Sequence, residues 1–79
     1  MKLVKVEWVD ATGADGWIDK DELERELPGL HTTVGFVVKE TDGFITITMN
    51  HDETKETFGA WMLIPRVMII SIEDLVSML

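Results

Sequence analysis

Residues 32–50, TTVGFVVKETDGFITITMN, decide the fold that the sequence predicts. Apolar residues alternate along this stretch with the period of two that is typical of a β-strand with one buried face. The alternating positions are Val34, Phe36 and Val38, followed by Ile45, Ile47 and Met49, with Thr46 and Thr48 on the opposite face. Asp42-Gly43 between the two runs is a strong hairpin signal, because glycine takes a positive φ without steric cost. The stretch therefore predicts a central β-hairpin.

Strand patterns flank this hairpin on both sides. Residues 2–9 place Val4, Val6 and Trp8 on one face, and residues 58–64 alternate in the same way. Phe58, Ala60, Met62 and Ile64 share one side of that segment, while Trp61 and Leu63 share the other. Pro65 interrupts the pattern because proline donates no ladder hydrogen bond. Residues 67–72 are almost all apolar and predict a buried last strand, with a helical turn closing by residue 75.

The segment between the first strand and the hairpin predicts a loop and one helix. Residues 10–16, DATGADG, are typical of a loop. We expect Trp17-Ile18 to be a strand end that folds back under the sheet. Asp19 and Glu22 have capping-box spacing and predict a helix over residues 19–27, which Pro28-Gly29 ends. The i, i+4 pair Leu23 and Leu27 is expected to face the core.

These elements predict one small, mainly β domain over residues 1–79. About five short strands with turn signals between them indicate a small barrel or sandwich. The tight hairpin, the polar loop over residues 50–57 and the strand broken by Pro65 favour a Src-homology-3-like or Sm-like barrel with one short α-helix.

Composition restricts the classes of function. The 79 residues contain no cysteine, so no disulfide or cysteine-based zinc site is possible. With 15 acidic and 7 basic residues the net charge is −8, and such a surface disfavours direct nucleic-acid binding. The acidity is explained either by solubility or by a basic partner. No segment is long and apolar enough to span a membrane, and the first residues lack a signal-peptide pattern, so we expect a cytoplasmic protein.

Motifs for catalysis or metal binding are weak. Residues 15–22, DGWIDKDE, copy the second half of a calcium-binding loop, but Ala11 and Gly13 stand where the first half needs carboxylates. His31 and His51 have no metal-ligand spacing. Ser71 and Ser77 lack a glycine-rich elbow, so nucleophilic catalysis is not indicated. We therefore expect no enzyme, no cofactor and no metal.

The candidate binding residues form two sets and one single cation. Trp17, Trp61 and Leu63 are predicted to form an exposed apolar surface, while Trp8 is predicted to be core. Asp21, Glu22 and Glu26 are predicted to give one flank of the helix a strong negative charge, although a merely solvated face is the commoner outcome. Arg66 either reaches an anionic ligand or pairs with an acid of the same chain.

One resemblance covers nearly the whole chain. The ordered segments are VEWVD (6–10), GW (16–17), DKDELE (19–24), TVGFVVKETDGFITIT (33–48), IPR (64–66) and IISIEDL (69–75). This set resembles short proteins of unassigned function from tailed phages and prophages. The resemblance implies a phage accessory protein made in the host cytoplasm, and it implies no catalytic residues.

Three functions are consistent with these observations. The first is a non-enzymatic phage protein that binds and modulates or inhibits a host or anti-phage defence protein through its acidic and apolar surface. The second is a homo-oligomeric barrel that sequesters a small ligand, such as a signalling nucleotide, between subunits, where Arg66 and lysines converge. The third is a small hydrolase that works through His51 and Asp52, for which no supporting geometry is indicated.

Overall fold

The computed structural model describes residues 1–75 and shows one antiparallel β-sheet of five strands. The elements in chain order are β1 (Leu3–Asp10), α1 (Lys20–Glu24), β2 (Gly29–Glu40), β3 (Phe44–Asp52), β4 (Thr57–Pro65), a 3-10 turn (Arg66–Met68) and β5 (Ile69–Asp74). The strand order is β4-β3-β2-β1-β5. The prediction of a mainly β domain with a central hairpin, a strand ended by Pro65 and one short helix is confirmed.

The sheet is curled, because its two edge strands are also neighbours in sequence. In a flat sheet β4 and β5 would lie four strand spacings apart, or about 19 Å. The four residue steps from Pro65 to Ile69 span at most about 14 Å. The edges therefore approach each other, but the described strand pairs include no ladder between β4 and β5, so the sheet is not closed.

The hydrophobic core lies on the inner face of this curl. Its fully buried members are the side chains Val4, Val6, Ile45, Ile47 and Ile64, joined by the nearly buried Trp8. The indole Nε1 of Trp8 donates a hydrogen bond of 3.0 Å to the Thr33 hydroxyl, which satisfies both buried polar groups. The predicted alternation of β1 and of Ile45 and Ile47 is confirmed, and Met49 is exposed.

The predicted inner face of β2 is wrong. Val34 and Val38 are more than 40% exposed, whereas Thr33 and Gly35 are buried and Val37 packs against the core. The register of β2 on β3 shifts between Val37 and Lys39, which is a β-bulge. Apolar residues occupy both faces of this strand, so a period of two could not tell which face is buried.

Thr48 lies on the face of β3 opposite Ile45 and Ile47, as predicted, yet it is fully buried on the outer side of the sheet. Its hydroxyl lies 2.9 Å from the carbonyl oxygens of both Asn50 and Gly59. The buried hydroxyl therefore has hydrogen-bond acceptors on two strands, β3 and β4. The hydroxyl allows a polar side chain to be buried here without an unsatisfied group.

The hairpin turn is where it was predicted, but glycine geometry does not make it. Gly43 does not have a positive φ. Instead, the Thr41 hydroxyl accepts hydrogen bonds of 3.1 Å from the backbone N–H groups of Gly43 and Phe44, and the Thr41 N–H donates to the Phe44 carbonyl at 2.9 Å. A threonine side-chain turn therefore closes the hairpin.

The prediction for the last strand is partly wrong. Residues 66–68 form the 3-10 turn, and Val67 is 93% exposed there, so it belongs to no buried strand. The helical turn expected by residue 75 is absent, since β5 continues to Asp74. Ser77 lies outside the described residues.

A loop position between β3 and β4 gives the first test of the backbone geometry. Glu56 has a φ of 51°, which non-glycine residues adopt at a cost. Replacing Glu56 by glycine is expected to raise the free energy of unfolding in urea by about 0.5–1 kcal/mol, because the strain is relieved.

Glu56→Gln is the matched control, because it keeps the side-chain volume and the strain. It weakens only the contact of 3.4 Å between Glu56 Oε2 and His51 Nε2. If the Gly and Gln variants had equal free energies of unfolding, the prediction that the backbone conformation at Glu56 costs stability would be wrong.

Candidate protein-binding surfaces

The long connection between β1 and β2 stands away from the core. We call residues 11–28 the arm; its base is the β1–β2 pair Asp10 and Gly29. Every residue of the arm is exposed, and α1 buries none of its five residues. The predictions that Leu23 and Leu27 face the core and that Trp17-Ile18 folds under the sheet are therefore wrong.

The helix itself is shorter than predicted. It covers five residues, and its N-cap residue Asp19 makes no side-chain capping hydrogen bond. A helix of this length is not stable by itself in water and depends on packing. The arm thus has the composition of a segment that buries an apolar face, but the described chain supplies no surface for it.

The apolar side chains of the arm are large and unusually exposed. Trp17 is 104% exposed and Leu27 78%, with Leu23 and Ile18 at 58% and 44%. Exposed apolar side chains that are close together in sequence mark interaction sites more often than isolated ones do. The sequence analysis predicted Trp17 for this surface but assigned Leu23 and Leu27 to the core. Their i, i+4 spacing shows that they share one face of the helix, but it does not show whether that face packs on this chain or on another protein.

The arm encloses a groove of about 490 Å³ between its loop and α1. Its walls combine apolar side chains with two carboxylates and include no cation; the lining residues are Thr12, Gly13, Ala14, Gly16, Trp17, Ile18, Glu22, Leu23 and Glu26. The structure therefore brings together Trp17, Glu22 and Glu26 of the predicted binding residues.

The arm also carries much of the negative charge. It contains six acidic and two basic residues, a net charge of −4 out of −8 for the chain. Lys20 Nζ and Glu24 Oε1, 3.6 Å apart, form the one ion pair within the arm among the described residues. The predicted acidic flank, Asp21, Glu22 and Glu26, is exposed to solvent.

A second apolar surface lies on the outer face of the sheet. One cross-strand row runs from Leu3 through Phe36 and Thr48 to Trp61. Leu63 lies two residues from Trp61 on the same face. We call Phe36, Trp61 and Leu63 the outer patch; Trp61 is 66% and Leu63 47% exposed.

The two surfaces are separate. The row of the outer patch begins at Leu3, whereas the arm starts after Asp10, which is seven residues along β1 or about 23 Å away. The groove that Trp17 lines is formed by residues of the arm alone and includes neither Trp61 nor Leu63. Phe36 was missed for the outer patch, because the sequence alone placed it on the inner face.

Arg66 is engaged by the β2–β3 hairpin. Its Nε donates a hydrogen bond of 3.1 Å to the Thr41 carbonyl, and its backbone N–H donates to the Gly43 carbonyl at 2.9 Å. Its guanidinium also lies 3.9 Å from the Glu40 carboxylate. Arg66 thus holds the 3-10 turn against the hairpin, with its side chain about one third exposed.

The residues considered for catalysis lie apart from the arm, and His51 lines a small pocket together with Phe36 of the outer patch. His51 stacks on Phe58 with ring centroids 4.8 Å apart, and Asp52 Oδ1 accepts hydrogen bonds from the backbone N–H groups of Thr54 and Lys55. Over residues 1–75, no group of three or more metal-ligating side chains comes together. Within the same residues, no helix has the length and apolar character needed to cross a bilayer.

The size of the exposed surface is a further property of the chain. A compact monomer of 9.0 kDa has an accessible surface of roughly 4,900 Å², and this chain has 6311 Å². The radius of gyration is 16.2 Å, against about 12 Å for a compact chain of this length. The excess of about 1,400 Å² is larger than the roughly 800 Å² that each partner buries in a stable interface.

Comparison with known proteins gives no further assignment. No protein-family description, curated protein or solved structure matches the chain.

Proposed function

We propose that the chain is a non-enzymatic protein-binding module of a tailed phage or prophage, and that it modulates or inhibits a host or anti-phage defence protein in the host cytoplasm. The observation that supports the binding role is the arm, whose apolar side chains are exposed beside a net charge of −4. A segment of this kind gains stability only when another surface covers its apolar residues. The phage and host context rests on the sequence resemblance.

We also propose that the curled sheet is a small Src-homology-3-like or Sm-like barrel. The strand order, the 3-10 turn between β4 and β5 and the contact between Arg66 and the hairpin support this arrangement. In such a barrel the long β1–β2 connection extends from one end. Fold alone does not give function, so the binding role is argued from the arm.

The charge of the chain favours a foreign partner over a second copy. Two copies at −8 each repel, whereas a basic partner is attracted and associates faster. In this proposal the apolar residues of the arm provide affinity, and its carboxylates steer the encounter.

Affinity capture with matched baits tests the proposal. Proteins retained from a host lysate by the native chain are compared with those retained by a Trp17→Ser/Leu23→Ser bait. We expect the specific partner to be lost, since buried aromatic and leucine anchors dominate binding energy. The control is Val67→Ser/Ile70→Ser, which removes apolar side chains that are 93% and 59% exposed outside the arm. Equal retention by all three baits would rule out the arm as the binding surface.

A second candidate function is a homo-oligomer that holds a small ligand between subunits. The excess of accessible surface and the exposed outer patch favour it. Lys5 and Lys39 lie on the same outer face, since they pair with Val34 and Thr46 there. The solution mass, measured by light scattering during size exclusion, separates the two functions: a monomer contradicts the oligomer, and a defined oligomer that buries Trp61 supports it.

A further inference from the structure

We infer that the arm recognises a basic segment of a partner protein, and that its groove takes an arginine or lysine side chain beside Trp17, Glu22 and Glu26. This inference rests on the proposed function, because it names the chemistry of the partner that the arm binds. It concerns the groove within the arm and leaves the outer patch free.

The composition of the groove matches a long cationic side chain. Trp17, Ile18 and Leu23 provide apolar walls, and Glu22 and Glu26 provide two carboxylates. Arginine and lysine carry a charged head on an aliphatic stem, so the stem packs on apolar walls while the head reaches carboxylates. A cation near the face of a tryptophan ring gains a further attraction from the ring electrons.

Unlike several acids of the sheet, the two carboxylates of the groove have no cation within 4.0 Å among the described residues. On the sheet, Glu7, Glu40, Glu73 and Asp74 each lie within 4.0 Å of a lysine or arginine. Among residues 1–75, Glu22 and Glu26 form no such pair. Their negative charge is therefore not compensated locally, and it is available to a foreign cation.

A second copy of the chain supplies few cations for this groove. Lys2, Lys5 and Arg66 already pair with acids of the sheet. The repulsion between two chains of charge −8 acts against the other basic residues, which are Lys20, Arg25, Lys39 and Lys55. A basic segment of another protein supplies both a cation for the carboxylates and an aliphatic stem that packs on the apolar walls.

The test uses a short synthetic peptide that alternates arginine and leucine, titrated calorimetrically into the full native chain. The same peptide with glutamine in place of arginine is the ligand control. We expect the arginine peptide to bind and the glutamine peptide to bind at least about tenfold more weakly, with affinity falling as salt is raised. Glu22→Gln/Glu26→Gln is expected to weaken the arginine peptide at least about tenfold.

The protein control removes the same charge elsewhere. Asp42→Asn/Glu53→Gln changes two exposed acids outside the arm and is expected to leave the affinity within about twofold, since distant exposed charges are screened. The inference would be overturned if both double variants weakened binding of the arginine peptide equally. It would also be overturned if the arginine and glutamine peptides bound with equal affinity. No binding to the native chain, or self-association of the native chain through the arm, would overturn it too. If a captured partner depends on Trp17 and Leu23 but not on Glu22 and Glu26, the proposed function stands and this inference fails.

Discussion

Replacing the arm, residues 11–28, by a short glycine-serine linker is expected to abolish partner binding and to leave the β-sheet folded. The arm has no buried residue, and its two ends are adjacent because Asp10 pairs with Gly29. A short linker therefore closes the same gap without removing any core contact. Shortening a surface loop changes the closure entropy only slightly, so the free energy of unfolding should change by less than about 1 kcal/mol.

Two measurements on the linker variant check this expectation. Urea unfolding followed by tryptophan fluorescence reports the sheet, because Trp8 remains in the core after Trp17 is removed. Affinity for the partner captured by the native chain should fall by at least about a hundredfold, the equivalent of losing one or two binding hot spots. The matched control, Trp61→Ala/Leu63→Ala in the native chain, should keep its affinity.

Either of two results would contradict this prediction. An unfolded linker variant would show that the arm stabilises the sheet. A folded variant that still binds would place the binding surface elsewhere, and loss of binding in the Trp61→Ala/Leu63→Ala variant would then identify the outer patch.

The parts of the fold that the sequence predicts well are those with one apolar face. Val4, Val6 and Trp8 alternate with Lys5 and Glu7, so β1 has one possible inner face, and the structure confirms it. Pro65 marks the end of β4 because it cannot continue a ladder. In these segments the local pattern and the tertiary packing agree.

The sequence does not predict the structure correctly where both faces of a strand are apolar, or where contacts between strands determine which face is buried. In β2, Val34, Phe36, Val37 and Val38 fit either face, and the choice depends on the bulge near Val38 and on the close approach at Gly35. Neither feature has a periodic signal. The position of the hairpin turn was predicted, but the role of the Thr41 hydroxyl was missed, since the Asp42-Gly43 pair is a stronger signal than a threonine side chain.

The candidate site shows the same limit. The spacing of Leu23 and Leu27 indicates a face that needs to be covered, but not whether the cover comes from this chain or from another. The exposure of Trp17 was predicted in part, and the acidic flank was found from charge alone. Separation of the arm from the outer patch required the register of β1, β2, β3 and β4.

Among the glycine-to-alanine substitutions in the strands, Gly35→Ala is expected to have the largest effect on stability. A Cβ at Gly35 would lie 2.8 Å from the carbonyl oxygen of Thr48 and 3.3 Å from its carbonyl carbon. Both atoms belong to the backbone of the neighbouring strand β3, so no side-chain rotation relieves the clash. The two strands must move apart, and we expect a loss of about 1–3 kcal/mol in the free energy of unfolding.

Gly43→Ala is the matched control for this prediction. Its added Cβ would meet only the Thr41 hydroxyl oxygen at 3.8 Å, and Gly43 does not need a positive φ. Alanine should therefore be neutral or stabilise the chain by up to about 1 kcal/mol, because it restricts the unfolded state. Urea unfolding at one fixed protein concentration measures both variants, since association would change the apparent stability.

The pair of variants separates two explanations of the hairpin. If Gly43→Ala destabilised the chain as much as Gly35→Ala, the turn would depend on glycine, contrary to the hydrogen bonds of the Thr41 hydroxyl. If only Gly35→Ala lowers the free energy of unfolding, the close backbone contact at Gly35 determines the register of β2 on β3. That register places Phe36 on the outer face in the same cross-strand row as Thr48 and Trp61, so the close approach that limits residue 35 to glycine also positions Phe36 in the outer patch.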